Sequence, residues 1–274
     1  MNPHKAYSTS PLALLSKLWN QRYLIAQMAR REVVVRYKGS LVGLGWSFFN
    51  PVLMLAVYTF VFSVVFKARW GIGDDNTSFA IVLFVGLIVH GLFSEVINRA
   101  PGLIGSNVNY VKKVIFPLEI LPVVTMGAAL FHALISVLVL LCGFVVLNGY
   151  IHWTAILLPV VISPFLLMTL GFAWMIASMG VYLRDVGQFV GQVTTVMLFL
   201  SPVLYPISML PERFHVFLMI NPLTFVIEQA RIILLLGHLP DWRGLAIYTM
   251  VSALVAWLGY FWFQKTRRGF GDVL

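Results

Sequence analysis

Between Glu119 and Arg184 the chain runs for 64 residues, Ile120–Leu183, without one charged side chain. Roughly 20 apolar residues are enough to cross the hydrocarbon core of a bilayer, so the run is too long for one helix. Asn148-Gly149 and His152 interrupt it, which predicts two spans near 118–147 and 153–182. The same shortage of charge marks the whole sequence: 60% of its 274 residues are apolar or aromatic and 11% are charged. Soluble domains carry about 25% charged residues, and a water-facing surface of this size needs them. A soluble enzyme and a disordered chain are therefore excluded, leaving an all-α polytopic membrane protein.

The other charge-free runs complete the set. Leu41–Phe66, Phe79–Asn98 with Glu95 near its end, Val186–Pro211 and Gly244–Gln264 bring the expected spans to six, near 41–66, 79–98, 118–147, 153–182, 186–208 and 244–264. An even number puts both ends of the chain on one side. Placing them inside puts 14 of the 19 Lys and Arg residues there, seven of them before the first span. That bias orients both termini to the cytoplasm. The net charge of +9 thus reads as topogenic, with no nucleic-acid partner expected. Residues 1–40 lack a short apolar core followed by a cleavage site, so no signal peptide is expected. Cys142 is the single cysteine, which leaves no internal disulfide to form.

Three segments are more than simple spans or links. Residues 11–30 pattern as an amphipathic helix on the membrane surface, with Ser10 before it and Pro11 at its first position. Leu14, Leu18, Ile25 and Met28 form its apolar face, and Lys17, Arg22, Arg30 and Arg31 its polar surroundings. Both a lipid anchor and a gating element fit that pattern. The longest inner loop, 99–117, carries Asn107, Asn109 and Tyr110 followed by Lys112-Lys113, and reads either as a solvated loop or as a docking surface. After the fifth span, Pro202, Pro206, Pro211 and Pro222 punctuate a stretch that stays apolar. Phe214–Ile220 and Phe225–Leu236 are each too short to span, which suggests a re-entrant pair within 209–237. Glu228 and Arg231 stand three apart on the second piece and can pair on one helix face.

Catalytic chemistry is scarce. No lysine follows a glycine, so a GxxxxGK[ST] phosphate loop is missing, as are HExxH and GxSxG. His90 and His132 fall within spans and read as packing residues. Glu95 lies at the inner end of its span, where Arg99 or water can compensate it. No acidic residue falls at mid-membrane, which counts against a transporter driven by an ion gradient. Trp46, Tyr58, Phe62 and Tyr205 are candidates to line a path for sugars among many aromatics. Asp74-Asp75 lies in a Gly-rich stretch that reads as a polar turn. Gly39-x-x-x-Gly43 and Gly187-x-x-x-Gly191 have the spacing that permits close helix contacts.

Several motifs, in order along residues 30–265, resemble the permeases of ABC-2-type polysaccharide exporters. They are the run from Arg36-Tyr37-Lys38-Gly39 to Trp46 with Asn50-Pro51, and Asn107-x-Asn109-Tyr110-Val111-Lys112-Lys113 continuing through Phe116-Pro117, Glu119 and Leu121-Pro122. Tyr182-x-Arg184-Asp185, Ser201-Pro202-x-x-Tyr205-Pro206 and Asn221-Pro222 complete the series. The resemblance implies a type V exporter fold: a cytoplasmic N-terminus with an interface helix (1–40), a six-span domain (41–264) and a cytoplasmic tail (265–274). It implies a homodimer in the cytoplasmic (inner) membrane with two copies of a separate ATPase subunit, which holds the ATP and Mg; this chain itself binds no cofactor. The expected cargo is a lipid-linked polysaccharide such as O-antigen, capsule or teichoic acid. A coupling helix is expected near Gly102–Lys113, with Asn107, Asn109, Tyr110, Val111, Lys112 and Lys113 facing the ATPase. Arg36, Tyr37, Lys38, Arg184 and Asp185 are expected at a cytoplasmic gate or interface, and the first and fifth spans along the path. The rival readings are a gradient-driven flippase and a membrane-embedded enzyme of lipid or glycan modification.

Overall fold

The computed structural model describes residues 10–66, 79–111, 116–209 and 211–274, and among them every regular element is helical. Asp74-Asp75, Lys112 and Lys113 fall outside the described residues. The chain opens with α1 (Pro11–Asn20) and α2 (Arg22–Tyr37), and the backbone carbonyl of Ser10 accepts the first turn's Leu14 N–H at 3.1 Å. A turn leads into α3 (Gly45–Tyr58), which continues as a π-helix over Thr59–Val65, and then comes α4 (Phe79–Arg99). A short α5 (Val108–Val111) lies in the inner loop. The long charge-free run becomes α6 (Leu121–Asn148) and α7 (Leu158–Tyr182). Gly149 ends α6 with φ at 80°, a left-handed conformation that glycine adopts without steric cost. The break therefore falls where Asn148-Gly149 places it.

The remaining helices are α8 (Val186–Leu200), α9 (Glu212–Ile220), α10 (Pro222–Arg231), α11 (Trp242–Thr266) and α12 (Phe270–Val273). Five helices among the described residues are long and apolar enough to cross a membrane: those containing α3, α4, α6, α7 and α11. Helix α8 is apolar but shorter. The chain turns at Ser201, short of the expected end near 208, because Pro202 and Pro206 withhold the backbone donors that would continue the helix.

Helix α4 is the centre of the bundle. Phe79 to Val85 are buried without interruption, as are Val89, Leu92, Phe93, Val96 and Ile97. By contrast, α3 and its π-helical continuation bury one residue, Ser47, and turn Phe48, Phe49, Phe60 and Val64 outward. Such exposure costs little where lipid tails are the solvent, since they are as apolar as the side chains themselves. Close backbone approach then holds helices together. It occurs between α7 and α11, where a Cβ on Gly259 would run into the Gly171 carbonyl and one on Gly171 would meet the Val255 carbonyl at 2.5 Å. The spaced glycines singled out above lie elsewhere: a Cβ at Gly39, Gly43 or Gly191 would meet nothing within 4 Å, and one at Gly187 only Pro101 at 3.8 Å.

Candidate functional site

The inner loop is braced at both ends. At its start Ala100 and Pro101 are buried, and a Cβ on Gly180 would strike the Pro101 carbonyl, so α7 can press on the loop only with glycine there. Within the loop the Asn107 side chain donates back to the Leu103 carbonyl at 2.8 Å. Tyr110 stacks on Phe116, ring centroids 4.2 Å apart and 11° from parallel, and both rest against the core. Asn109 points outward and is exposed. Of the six expected coupling residues, then, Asn107 and Tyr110 stabilise the loop's own shape, and Asn109 is free to meet a partner. The side chain of Val111, with Lys112 and Lys113, lies outside the described residues.

At its far end the loop is clamped by Glu119, which sequence reading placed only within a motif. Glu119 is 2% exposed, and its two oxygens accept Lys17 Nζ at 3.2 Å and Arg267 Nη1 at 2.5 Å. Arg267 also donates to the Phe116 carbonyl at 2.8 Å, and Trp174 Nε1 to the Glu119 carbonyl at 2.9 Å. A buried carboxylate is tolerated because cations and hydrogen bonds replace its hydration. One side chain thus ties the loop to α1 and to the end of α11. The signal was a lone acid beside a long charge-free run; its partners are too distant in sequence to be read from spacing.

A second network joins α2, α4 and α6. Arg36 Nη1 donates to Glu95 Oε1 at 2.6 Å, His132 Nδ1 lies 3.0 Å from Glu95 Oε2, and Arg99 stands 3.8 Å from the same carboxylate. Arg99 further pairs with Glu32. Tyr37 meets the edge of the His132 ring, and burial raises its phenol above the ordinary value, the Arg36 charge opposing and the Glu95 charge adding. Glu95 is compensated as expected by Arg99, but more closely by Arg36 and His132. Lys38 is exposed at the end of α2, and Arg184 and Asp185 are exposed in the turn between α7 and α8.

Helix α2, which carries Arg36, packs along α6, and α1 carries Lys17 to Glu119 just ahead of it. The face bearing Leu14 and Met28 packs on the protein core, with Ala29 against Gly127 of α6. The outward face shows Leu15, Trp19 and Tyr23, with the Arg22 guanidinium 4.9 Å and 4.6 Å from the two aromatic rings. Of the expected apolar stripe, Leu14 and Met28 are thus seated on protein.

The four aromatic path candidates are not gathered in one place. Trp46 is exposed, its Nε1 donating to Ser40 Oγ at 2.9 Å. Tyr58 turns inward and lines a cavity of about 270 Å³ with Asn50, Glu95, His132 and Ser136. Phe62 is half-buried and stacks on Phe79, ring centroids 5.0 Å apart. Tyr205 sits in the turn after α8, donating to the Phe199 carbonyl at 2.8 Å.

The sequence profile of ABC-2 type transporters matches residues 23–235, which takes in α2 through α10 and the whole Glu95 network, while Lys17 and Arg267 of the Glu119 clamp lie outside it. This chain belongs to the ABC-2 type transporter family. It is similar over nearly its whole length to the O-antigen export system permease protein RfbA of Myxococcus xanthus, 28% identical over 95% of this chain and 99% of that one. The RfbA permease of Klebsiella pneumoniae is 24% identical over 92% of this ABC-2 chain and 95% of its own length. The polysialic acid transport protein KpsM of Escherichia coli is 21% identical, with coverages of 86% and 91%. With its apolar helices and these transporter relatives, this ABC-2 family member is a multi-pass membrane protein.

Proposed function

We propose that this chain is the permease subunit of an ATP-driven exporter moving a lipid-linked polysaccharide, of O-antigen, capsule or teichoic acid type, across the cytoplasmic membrane. It works as a homodimer with two copies of an ATPase subunit, which carries the ATP and Mg, and with both termini in the cytoplasm. The supporting observation is the inner loop: a short helix showing Asn109 outward, in a loop braced on α7 at its start and clamped by Glu119 at its end. A push passed to the anchored ends of the loop moves the helices that hold them. Through Glu119 it reaches α1 and α11; through Arg99 and Glu95 it reaches α2, α4 and α6. Helices α3 and α8, the least covered of the apolar helices, move most easily and would border the path between two copies. Both relatives' printed roles, O-antigen export and polysialic acid transport, support the same reading.

The test is deletion of the gene, followed by complementation with the wild type and with the double variant Tyr110→Ala, Lys112→Ala. Loss of surface polysaccharide on deletion, recovery with the wild type, and failure of the double variant to export or to co-purify the ATPase are expected. Unchanged surface polysaccharide in the deletion strain would overturn the proposal.

A further inference from the structure

Arg231, at the end of α10, is 2% exposed and contacts the start of α4, the end away from Arg99 and the inner loop. Among the described residues its guanidinium engages three separate pieces of chain. Nη1 donates to Glu228 at 2.8 Å on its own helix, Nε to the Val82 carbonyl of α4 at 3.1 Å, and Nη2 to the Val203 carbonyl at 3.3 Å. Val203 belongs to the turn that breaks the chain after α8, where Pro202 and Pro206 lack backbone donors and leave carbonyls in need of partners. The fit is tight: a Cβ on Gly86 of α4 would stand 3.1 Å from both Arg231 Nη2 and Val203 Cα. The hairpin of α9 and α10 closes on the same turn, its tip Asn221 donating to Ser201 Oγ at 2.8 Å. Burying a guanidinium among apolar helices is costly, and residues kept at that cost usually act in function.

We propose that Arg231 is the positioning residue that keeps the exit end of the transport path shut. The guanidinium bolts the turn after α8 to α4, and the hairpin of α9 and α10 stays over the end of α8 as long as that bolt holds. Opening then means parting Val203 from α4, which Arg231 opposes and export must overcome. A planar five-donor fork can serve α4, the turn and Glu228 together; an ammonium cannot. The inference rests on the exporter reading for the meaning of an exit, but the barrier itself can be measured without glycan.

The experiment expresses the full chain in its host from its own locus and follows entry of a membrane-impermeant dye, normalised to the amount of chain in the membrane fraction. Arg231→Met is expected to raise dye entry per chain about tenfold, within the usual range for coupled sites. Arg231→Lys keeps the charge and is the safer variant for folding; it is expected to leak in the same direction, less strongly. A purely structural role would lower the abundance of the chain and leave entry per chain at the wild-type value. Wild-type dye entry from either variant at normal membrane abundance overturns the proposal. Failure of the exporter reading would appear instead as unchanged surface polysaccharide on gene deletion, whatever the leak.

Discussion

Lys17 Nζ and Glu119 Oε1 lie 3.2 Å apart although 102 residues separate them in the chain. The contact fixes the first helix to the exit of the inner loop, and the second oxygen of Glu119 fixes the end of α11 to the same point. The two cations are not equivalent, since Arg267 is 11% exposed and Lys17 33%.

Removing Arg267 should therefore cost more than removing Lys17. Arg267→Met leaves a buried carboxylate short of its closest partner and is expected to cost about 3–5 kcal/mol. Lys17→Met, at a wetter site, should cost about 1 kcal/mol or less. Thermal unfolding of the purified complex in detergent measures both, and equal losses would contradict the geometry.

The loop stack makes its own prediction. Tyr110→Phe keeps the ring on Phe116 and should preserve capture of the ATPase. Tyr110→Ala loses a stacked pair worth about 0.5–1.5 kcal/mol and should loosen the loop. Co-purification of the ATPase with each variant decides it. Equal capture by the two would show that the ring stack plays no part.

Glycine packing can be tested against an internal control. Gly259→Ala drives a methyl into the Gly171 carbonyl and should separate α7 from α11, costing about 1–3 kcal/mol. Gly191→Ala enters open space and should change stability by less than about 0.5 kcal/mol. Melting temperatures of the two variants give the comparison.

The network around Glu95 predicts non-additivity. Glu95→Gln and His132→Gln each disturb the same 3.0 Å contact, so the double variant should differ from the sum of the singles by about 0.5–3 kcal/mol. Strict additivity in a double-mutant cycle would show that the pair is not coupled.

The sequence made some of this legible and hid the rest for a definite reason. Breaks are local: Asn148-Gly149, the prolines around 202–206 and Asn221-Pro222 each impose a backbone constraint on the residues beside them; the first and last breaks appear in place, whereas the prolines end α8 at Leu200, short of 208. Pairing within one helix is local too, and Glu228 with Arg231 follows from a spacing of three. Partners across the fold are not encoded by spacing. Helix periodicity identified Leu14 and Met28 as one face of the first helices but could not say whether lipid or α6 would cover it. Glycine spacing pointed to residues 39, 43, 187 and 191, whereas close approach happens at Gly171 and Gly259, set by how α7 and α11 happen to cross. The ligands of Glu119 lie 102 and 148 residues away, beyond any pattern within a segment.

The clamp at Glu119 also counts membrane crossings. Three points of the chain that touch one another must lie on one side of the bilayer, so the chain crosses an even number of times between each pair of them. From Lys17 to Glu119, α3 and α4 satisfy that parity. From Glu119 to Arg267 the long helices are α6, α7 and α11, an odd set. With both termini inside, as proposed, the parity closes when α8 and the proline-broken segment that follows it carry the chain across once more. In the proposed topology a single buried carboxylate thereby draws α8 into the membrane-crossing set.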